Sequence, residues 1–147
     1  RREHRDRRHH RVDDDGLVRA KRAGRAAPKE LIVAHSHAHG DHTAGDAQLK
    51  QLPATTVLGT DPASVQKFFG FRNWPEDIVS YDLGGRMLDI IAIPGHEAAS
   101  IAIYDRQTGI LLTGDTVYPG RLYVRDAPVF TASIARDDYK GQTVPNH

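Results

Sequence analysis

Hydrophobic residues in this chain fall in short runs, separated by polar segments that contain glycine or proline. Such runs are typical of β-strands, and they are predicted over residues 31–35, 55–58, 78–82, 87–93, 100–104 and 110–113, the first as a buried strand. Helical patterns cover residues 43–52, 62–69 and 130–139, with Thr43 and Asp61 as the expected N-caps of the first two. Strands mixed with helices predict a layered α/β protein.

The composition is that of an ordinary globular protein with one domain. Of the 147 residues, 39% are hydrophobic and 27% are charged, which allows a real core. The chain has no cysteine, so disulfides and cysteine-bound zinc are excluded. It has neither an apolar run of the roughly 20 residues that span a bilayer nor the apolar segment of a signal peptide. We therefore expect a cytoplasmic protein without a membrane partner.

Charge divides the chain near residue 29. Residues 1–29 hold 11 Lys/Arg and 5 Asp/Glu, a balance of +6, whereas residues 30–147 hold 9 and 14, a balance of −5. A basic arm can bind nucleic acid, but this one lacks interleaved aromatic residues. We interpret residues 1–28 as a disordered leader and residues 29–147 as the domain, and we do not expect a nucleic-acid partner. The oligomeric state stays open.

Histidines and an aspartate are concentrated directly after the first predicted strand. His37 and His39 are two residues apart, so in an extended segment their side chains point the same way and can reach one metal ion. Gly40 permits a tight bend, after which Asp41 and His42 can reach a second ion. Imidazole nitrogens and carboxylate oxygens are both good zinc ligands. The segment therefore predicts a zinc site for two ions, although iron or manganese also suit such donors.

Three further residues bear on this site. His96 and Asp115 each follow a predicted strand, where a rigid sheet presents functional side chains. His35 extends the alternation of His37 and His39, but only the His37 register is completed by Asp-His, so His35 is interpreted as a supporting or strand residue.

These segments resemble one known family, the metallo-β-lactamase superfamily, and they are similar both to its hydroxyacylglutathione-hydrolase-like members and to general lactamase-B-domain members. The resemblance lies in His37-x-His39-x-Asp41-His42, Pro94-Gly95-His96 and Thr113-Gly114-Asp115-Thr116, and it covers residues 30–147. It implies an αββα sandwich with two metal ions at one edge of its sheets. By similarity, the first ion is held by His37, His39 and His96, and the second by Asp41, His42 and the late histidine His147, with Asp115 bridging both.

The chain departs from the family at both ends. Members have several strands before the first histidine motif and more sheet after the last histidine, whereas this sequence has little room for either. The resemblance therefore implies a partial domain, incomplete at the N-terminal and C-terminal ends. Strand edges and apolar faces left uncovered would favour aggregation or dimerisation.

The activity that follows is that of a metallo-hydrolase acting on a small molecule. A metal-bound hydroxide would attack an ester, thioester, lactone or related bond, with Asp41 as the catalytic residue that binds metal and orients the nucleophile. Tyr118, Arg121 and Tyr123 are candidate substrate-binding residues, because their loop follows Asp115 and Arg121 can pair with a carboxylate. Two alternatives stay open: an iron-dependent redox enzyme of the same fold, and a non-catalytic metal-binding fragment.

Overall fold

A computed structural model describes residues 29–137, so the predicted leader and His147 lie outside the described part. The first sheet pairs β1 (Leu31–Val33) with β2 (Thr55–Val57) in parallel. The second is antiparallel, in the order β3 (Ile78–Asp82), β4 (Met87–Ala92), β5 (Ile101–Asp105) and β6 (Leu111–Leu112). The helices are α1 (Gly40–Thr43), α2 (Asp46–Leu49), α3 (Pro62–Phe69) and α4 (Ala127–Asp137). The predicted mixture of strands and helices is confirmed.

The helix α3 begins and ends where the sequence predicts. The Asp61 side chain accepts a hydrogen bond from Ser64 N at 2.9 Å, and Pro62 occupies the first turn, where no intrahelical N–H bond is lost. Gly70 ends the helix in a left-handed conformation with φ of 82°. The buried face of the helix carries Val65 and Phe69.

The predicted helix over residues 43–52 is wrong in its start and its continuity. The turn at Gly40 is itself helical and begins α1, so Thr43 is the last residue of that helix rather than an N-cap. The Thr43 hydroxyl instead donates to the carbonyl of His39 at 3.3 Å. The second short helix, α2, starts after Gly45. The predicted run is therefore two separate turns.

The first predicted strand is shorter and more exposed than expected. It ends at Val33, and Leu31 is 43% exposed while Ile32 and Val33 are half-buried. The strand pairs only with β2, so one edge and part of its surface are uncovered within residues 29–137. The expectation of a buried strand over residues 31–35 is wrong for this reason.

The core is built around β4, whose side chains alternate between the two faces of the second sheet. Ile90 and Ala92 pack into the larger cluster, with α3 and β5 residues, while Ile91 and Ile93 pack on the opposite face against Ala102. All five are at most 1% exposed. Burying one isoleucine side chain stabilises the fold by about 2 kcal/mol. The second sheet is therefore a rigid support for the loops that follow β4 and β6, which carry His96 and Asp115.

Buried charges at the other end of the second sheet are paired. Arg106 donates to both oxygens of Asp89, at 2.6 and 2.8 Å, and Asp89 is 1% exposed. Asp105 accepts hydrogen bonds from Arg86 and from the Thr108 hydroxyl, which together hold the pKa of its carboxyl well below the usual range. The two arginine–aspartate pairs tie the end of β5 and the turn after it to β4 and the residue before it. The hairpin of β5 and β6 that this turn makes was predicted from the sequence.

Apolar side chains lie uncovered at the sheet edge formed by β6. Ile110 is 56% exposed and Leu112 is 59% exposed. The expected uncovered apolar edge is therefore present in residues 29–137. Among the same residues, no helix combines the length and the apolar character that crossing a membrane requires.

Candidate metal centre

The candidate site lies where three strands end. Ser36 and His37 follow β1, His96 follows β4, and Asp115 follows β6. The amide of Ile101 in β5 donates to the Ser36 carbonyl at 2.8 Å, which ties the β1 loop to the second sheet. The two sheets therefore deliver these side chains to one place, as a rigid scaffold does for functional loops.

Gly114 allows two of these loops to approach closely. Its φ is +52°, and an added Cβ would lie 2.5 Å from Ser36 Oγ and 2.6 Å from Ser36 Cβ. No side chain fits in this gap, and the left-handed φ also favours glycine. Glycine at this position brings the next residue, Asp115, to the histidines that follow β1.

Three histidines converge in what we call the three-histidine group, formed by His37, His39 and His96. One ligand nitrogen from each lies within 4.8 Å of the others. His39 Nδ1 is 3.0 Å from His37 Nε2 and 3.2 Å from His96 Nε2. His37 is 2% exposed and His96 is 4% exposed. The structure thus brings together the three residues predicted to share one metal ion.

A second set, the aspartate group, consists of His37, His42 and Asp115, again with ligand atoms within 4.8 Å of one another. Asp115 Oδ1 lies 3.4 Å from His42 Nε2. The other oxygen, Oδ2, lies 3.9 Å from His37 Nε2 and 4.0 Å from His96 Nε2. The two oxygens of Asp115 therefore face different histidines. Oδ1 faces His42, whereas Oδ2 faces His37 and His96, and His96 belongs to the three-histidine group only.

The histidine cluster lowers the pKa of His37. Burial is the largest cause, followed by the repulsion that His42, His39 and His96 would exert on a charged ring, and together they lower the pKa to about 4. Asp115 opposes the shift but does not cancel it. At neutral pH His37 is therefore unprotonated at one nitrogen, which is the form that binds metal ions.

Neighbouring polar groups orient the histidine rings. His96 Nδ1 donates to the carbonyl of Tyr123 at 2.7 Å, which leaves Nε2 with its lone pair toward the other histidines. Ser36 Oγ lies 3.1 Å from His37 Nδ1 and 3.4 Å from His42 Nδ1. Ser36 was not predicted from the sequence, although its place directly before His37 could have suggested such a role.

Not every predicted ligand joins these groups. The side chain of Asp41 is 77% exposed, and its Oδ2 lies 3.9 Å from His42 Nε2, at the border of the aspartate group. His35 stands apart, with Nε2 2.7 Å from Asp46 Oδ1. His147 lies outside the described residues. The ligand roles of Asp41 and His147 stay predictions, as do those of the residues in the two groups.

A cavity of about 390 Å³ opens beside the three-histidine group. Its lining residues are His39, His96, Asp115, Tyr123, Val124 and Arg125. Of the candidate substrate-binding residues, only Tyr123 lines it. Tyr118 donates to the Arg121 carbonyl, and the Arg121 guanidinium carbon lies 5.8 Å from the centre of the Tyr123 ring. The substrate-binding role of Tyr118, Arg121 and Tyr123 stays a prediction. Arg125 was missed because no local pattern links it to His96.

The donor set fits zinc. It consists of imidazole nitrogens and a carboxylate, the ligands that zinc takes where cysteine is absent. His37 and His96 are buried by the surrounding side chains, whereas the three-histidine group is open on the side that faces the cavity. A closed shell of ligands marks a structural zinc site, whereas an open side is what a catalytic site needs.

Comparison with known proteins places this geometry in a family. Residues 9–144 match the family model described as the metallo-beta-lactamase superfamily. The chain is 35% identical over 111 residues to a hydroxyacylglutathione hydrolase of Pseudomonas paraeruginosa, covering 73% of this chain and 41% of that protein. It is 26% identical over 127 residues to an acyl-coenzyme A thioesterase of Gallus gallus, covering 66% and 45%. The chain thus spans less than half the length of these relatives.

A solved structure supports the fold. The crystal structure of the B3 metallo-beta-lactamase BLEG-1 superposes with a TM-score of 0.50 at 21% identity, over 74% of this chain and 62% of that one. The expected fold of the family, present as a partial domain, is confirmed by this likeness and by the family match.

Proposed function

Because the chain belongs to the metallo-beta-lactamase superfamily, we propose that it carries the metal centre of a zinc-dependent hydrolase that cleaves thioesters or related acyl bonds. The observation that supports this most is the position of Asp115, whose two oxygens face His42 on one side and His37 and His96 on the other. A carboxylate placed in this way suits two cations held close together, since its charge offsets part of their repulsion.

The donors divide between two ions. His37, His39 and His96 would hold the first. His37 Nε2 also faces the aspartate group, but one ring nitrogen binds one ion, so the second ion needs His42, Asp115 and a further donor. Asp41 is the nearest described candidate, since its carboxylate lies beside His42. His147 is the other candidate for that position.

When bound, zinc supplies a Lewis acid for the substrate carbonyl and lowers the pKa of a water molecule. In the reaction, water adds to the carbonyl carbon, the carbon–sulfur bond breaks, and the thiol leaves with a proton. The chain orients the centre through the Tyr123 carbonyl, which holds the His96 ring, and through Ser36 beside His37. Asp41 is exposed next to His42, and we assign it the orientation of the attacking water.

Thioesters are the substrates we favour because of the relatives. Their names specify hydroxyacylglutathione or acyl-coenzyme A as substrate, and both molecules are thioesters. The cavity beside His39 and His96, about 390 Å³ in volume, is of a size that admits a small acyl group with part of its thiol carrier.

The test is hydrolysis of a lactoylglutathione thioester and of acetyl-coenzyme A by the zinc-loaded chain. Released thiol can be followed with a chromogenic thiol reagent without interference, because the chain itself has no cysteine. We expect turnover that a chelator removes and that zinc restores. Metal retention without release of thiol from either substrate would contradict the proposal, and iron in the purified protein would favour the redox alternative.

Matched histidine variants sharpen this test. His37→Ala and His39→Ala each remove a donor from the three-histidine group, so both should lose metal and lower turnover by at least about a hundredfold. His35→Ala is the control, because His35 bonds to Asp46 and joins neither donor group. Equal loss in His35→Ala and His37→Ala would show that the assigned register is wrong.

A further inference from the structure

We propose that Arg125 recognises an anionic group, a carboxylate or a phosphate, on the substrate of this centre. The inference rests on the proposed hydrolase function and names a feature of its substrate. It follows from the position of Arg125 in the cavity wall, from the anchoring of its backbone next to His96, and from the absence of a charged partner for its guanidinium in residues 29–137.

Arg125 lies between two neighbouring cavities. It lines the cavity of about 390 Å³ that contains His39, His96 and Asp115. It also lines a second cavity of about 250 Å³, formed on the other side by the Pro94–Gly95 turn and the start of α4. A substrate whose acyl bond lies at the histidines and whose remaining part fills either cavity would therefore lie beside Arg125.

The backbone of Arg125 is fixed relative to the metal centre. The amides of Arg125 and Asp126 both donate to the Gly95 carbonyl, at 2.9 and 3.1 Å. The side chain of His96, the residue after Gly95, donates through Nδ1 to the Tyr123 carbonyl at 2.7 Å. These three bonds join the segment that carries Arg125 to the turn that carries His96. A binding group on so fixed a base is pre-organised, which lowers the entropy lost on binding.

The charge of Arg125 is not compensated by a carboxylate within the described part of the chain. Glu97 and Asp126 line the cavity of about 250 Å³ together with Arg125, but the carboxylate of each already accepts a hydrogen bond from a backbone amide. Glu97 accepts from the Ala99 amide at 2.9 Å, and Asp126 accepts from the Val129 amide at 3.0 Å. No ion pair of Arg125 occurs in residues 29–137. An unpaired guanidinium offers two parallel N–H bonds to a carboxylate or phosphate.

The test compares a charged and a neutral thioester of the same size. The pair is S-acetyl-3-mercaptopropionate and its primary amide, with S-acetyl-2-mercaptoethyl phosphate as the phosphate arm. In Arg125→Gln, we expect KM for the better anionic substrate to rise about tenfold or more with little change in kcat, because a charged hydrogen bond is lost. The amide should change by less than about twofold, and Arg125→Lys should recover part of the loss.

The control is Arg72→Gln, which removes an exposed arginine outside both cavities and should leave all three substrates unchanged. Equal effects of Arg125→Gln on the anionic and neutral substrates, or no effect on either, would overturn the inference. Preference for the carboxylate or for the phosphate identifies which anion Arg125 recognises.

A binding measurement separates this inference from the hydrolase proposal. S-ethyl-3-mercaptopropionate is a thioether that cannot be hydrolysed, and its affinity for the zinc-loaded chain can be measured by calorimetry or NMR. We expect weaker binding to Arg125→Gln than to the unmodified chain, even if no thioester is hydrolysed. Equal affinities would overturn the role of Arg125, whereas absent turnover with a preserved difference in affinity would count against the hydrolase function alone.

Discussion

Asp115 Oδ1 lies 3.4 Å from His42 Nε2, although the two residues are far apart in the sequence. The contact exists because the turn after β1 and the loop after β6 meet at the sheet edge, with Gly114 packed directly on Ser36. Since the second oxygen of Asp115 faces His37 and His96, this one carboxylate connects both donor groups. The two-ion interpretation depends on that relationship.

Asp115→Asn should therefore damage the centre while preserving its shape. An amide keeps the size of the side chain but loses the negative charge that offsets two cations. We expect the second zinc ion to bind at least about tenfold more weakly and thioester turnover to fall sharply, as measured by competitive zinc titration and thiol release. His147→Ala is the comparison and should be milder. Full turnover with unchanged zinc affinity in Asp115→Asn would remove the bridging role.

Gly95→Ala should destabilise the fold and the site together. The φ of Gly95 is +131°, and an added Cβ would lie 2.5 Å from Phe130 Cα, in α4. The matched control is Gly84→Ala, which also has a positive φ, of +86°, but has no atom within 4 Å of the added Cβ. Left-handed strain alone costs about 1–2 kcal/mol, and overpacking adds about 1–3 kcal/mol. Denaturant unfolding of both variants measures the difference, and equal losses would contradict the close packing of α4.

The metal-free chain should lose stability as the pH falls from about 6.5 to about 4. The folded state holds the pKa of His37 at about 4, against 6.5 for an ordinary histidine. Within this window the unfolded chain binds a proton that folded His37 does not, so the free energy of unfolding falls with the pH. His37→Gln lacks this contribution and should show a shallower decline in denaturant unfolding. Equal declines would show that His37 titrates normally in the folded chain.

Local patterns in the sequence predicted the parts of the fold that local chemistry decides. The Asp61 cap and the extent of α3, residues 62–69, are set by chemistry within one helix, and both predictions are correct. Thr43 has the chemistry of a cap as well, but a turn that begins at Gly40 already places it inside a helix. The preference of threonine for the N-cap position was overridden there, because the histidine motif itself turns into a helix at Gly40.

Contacts between distant segments were harder to predict from the sequence. The grouping of His37, His39 and His96 followed from motif spacing and family resemblance, and the structure brings their nitrogens together. Arg125 was missed because it reaches the site through backbone bonds to Gly95, which involve no recognisable side-chain pattern. The exposed apolar edge at β6 was expected only in general terms, from the prediction of a partial domain.

We expect the chain to hold two zinc ions, one at each donor group, with the carboxylate of Asp115 between them. Elemental analysis after zinc loading and gel filtration measures this directly, with His35→Ala as a control for the histidines outside the two groups. We expect two zinc ions per chain in the unmodified protein and in His35→Ala, about one in Asp115→Asn, and fewer than two in His39→Ala. One zinc ion or none per unmodified chain at saturating zinc would contradict the claim.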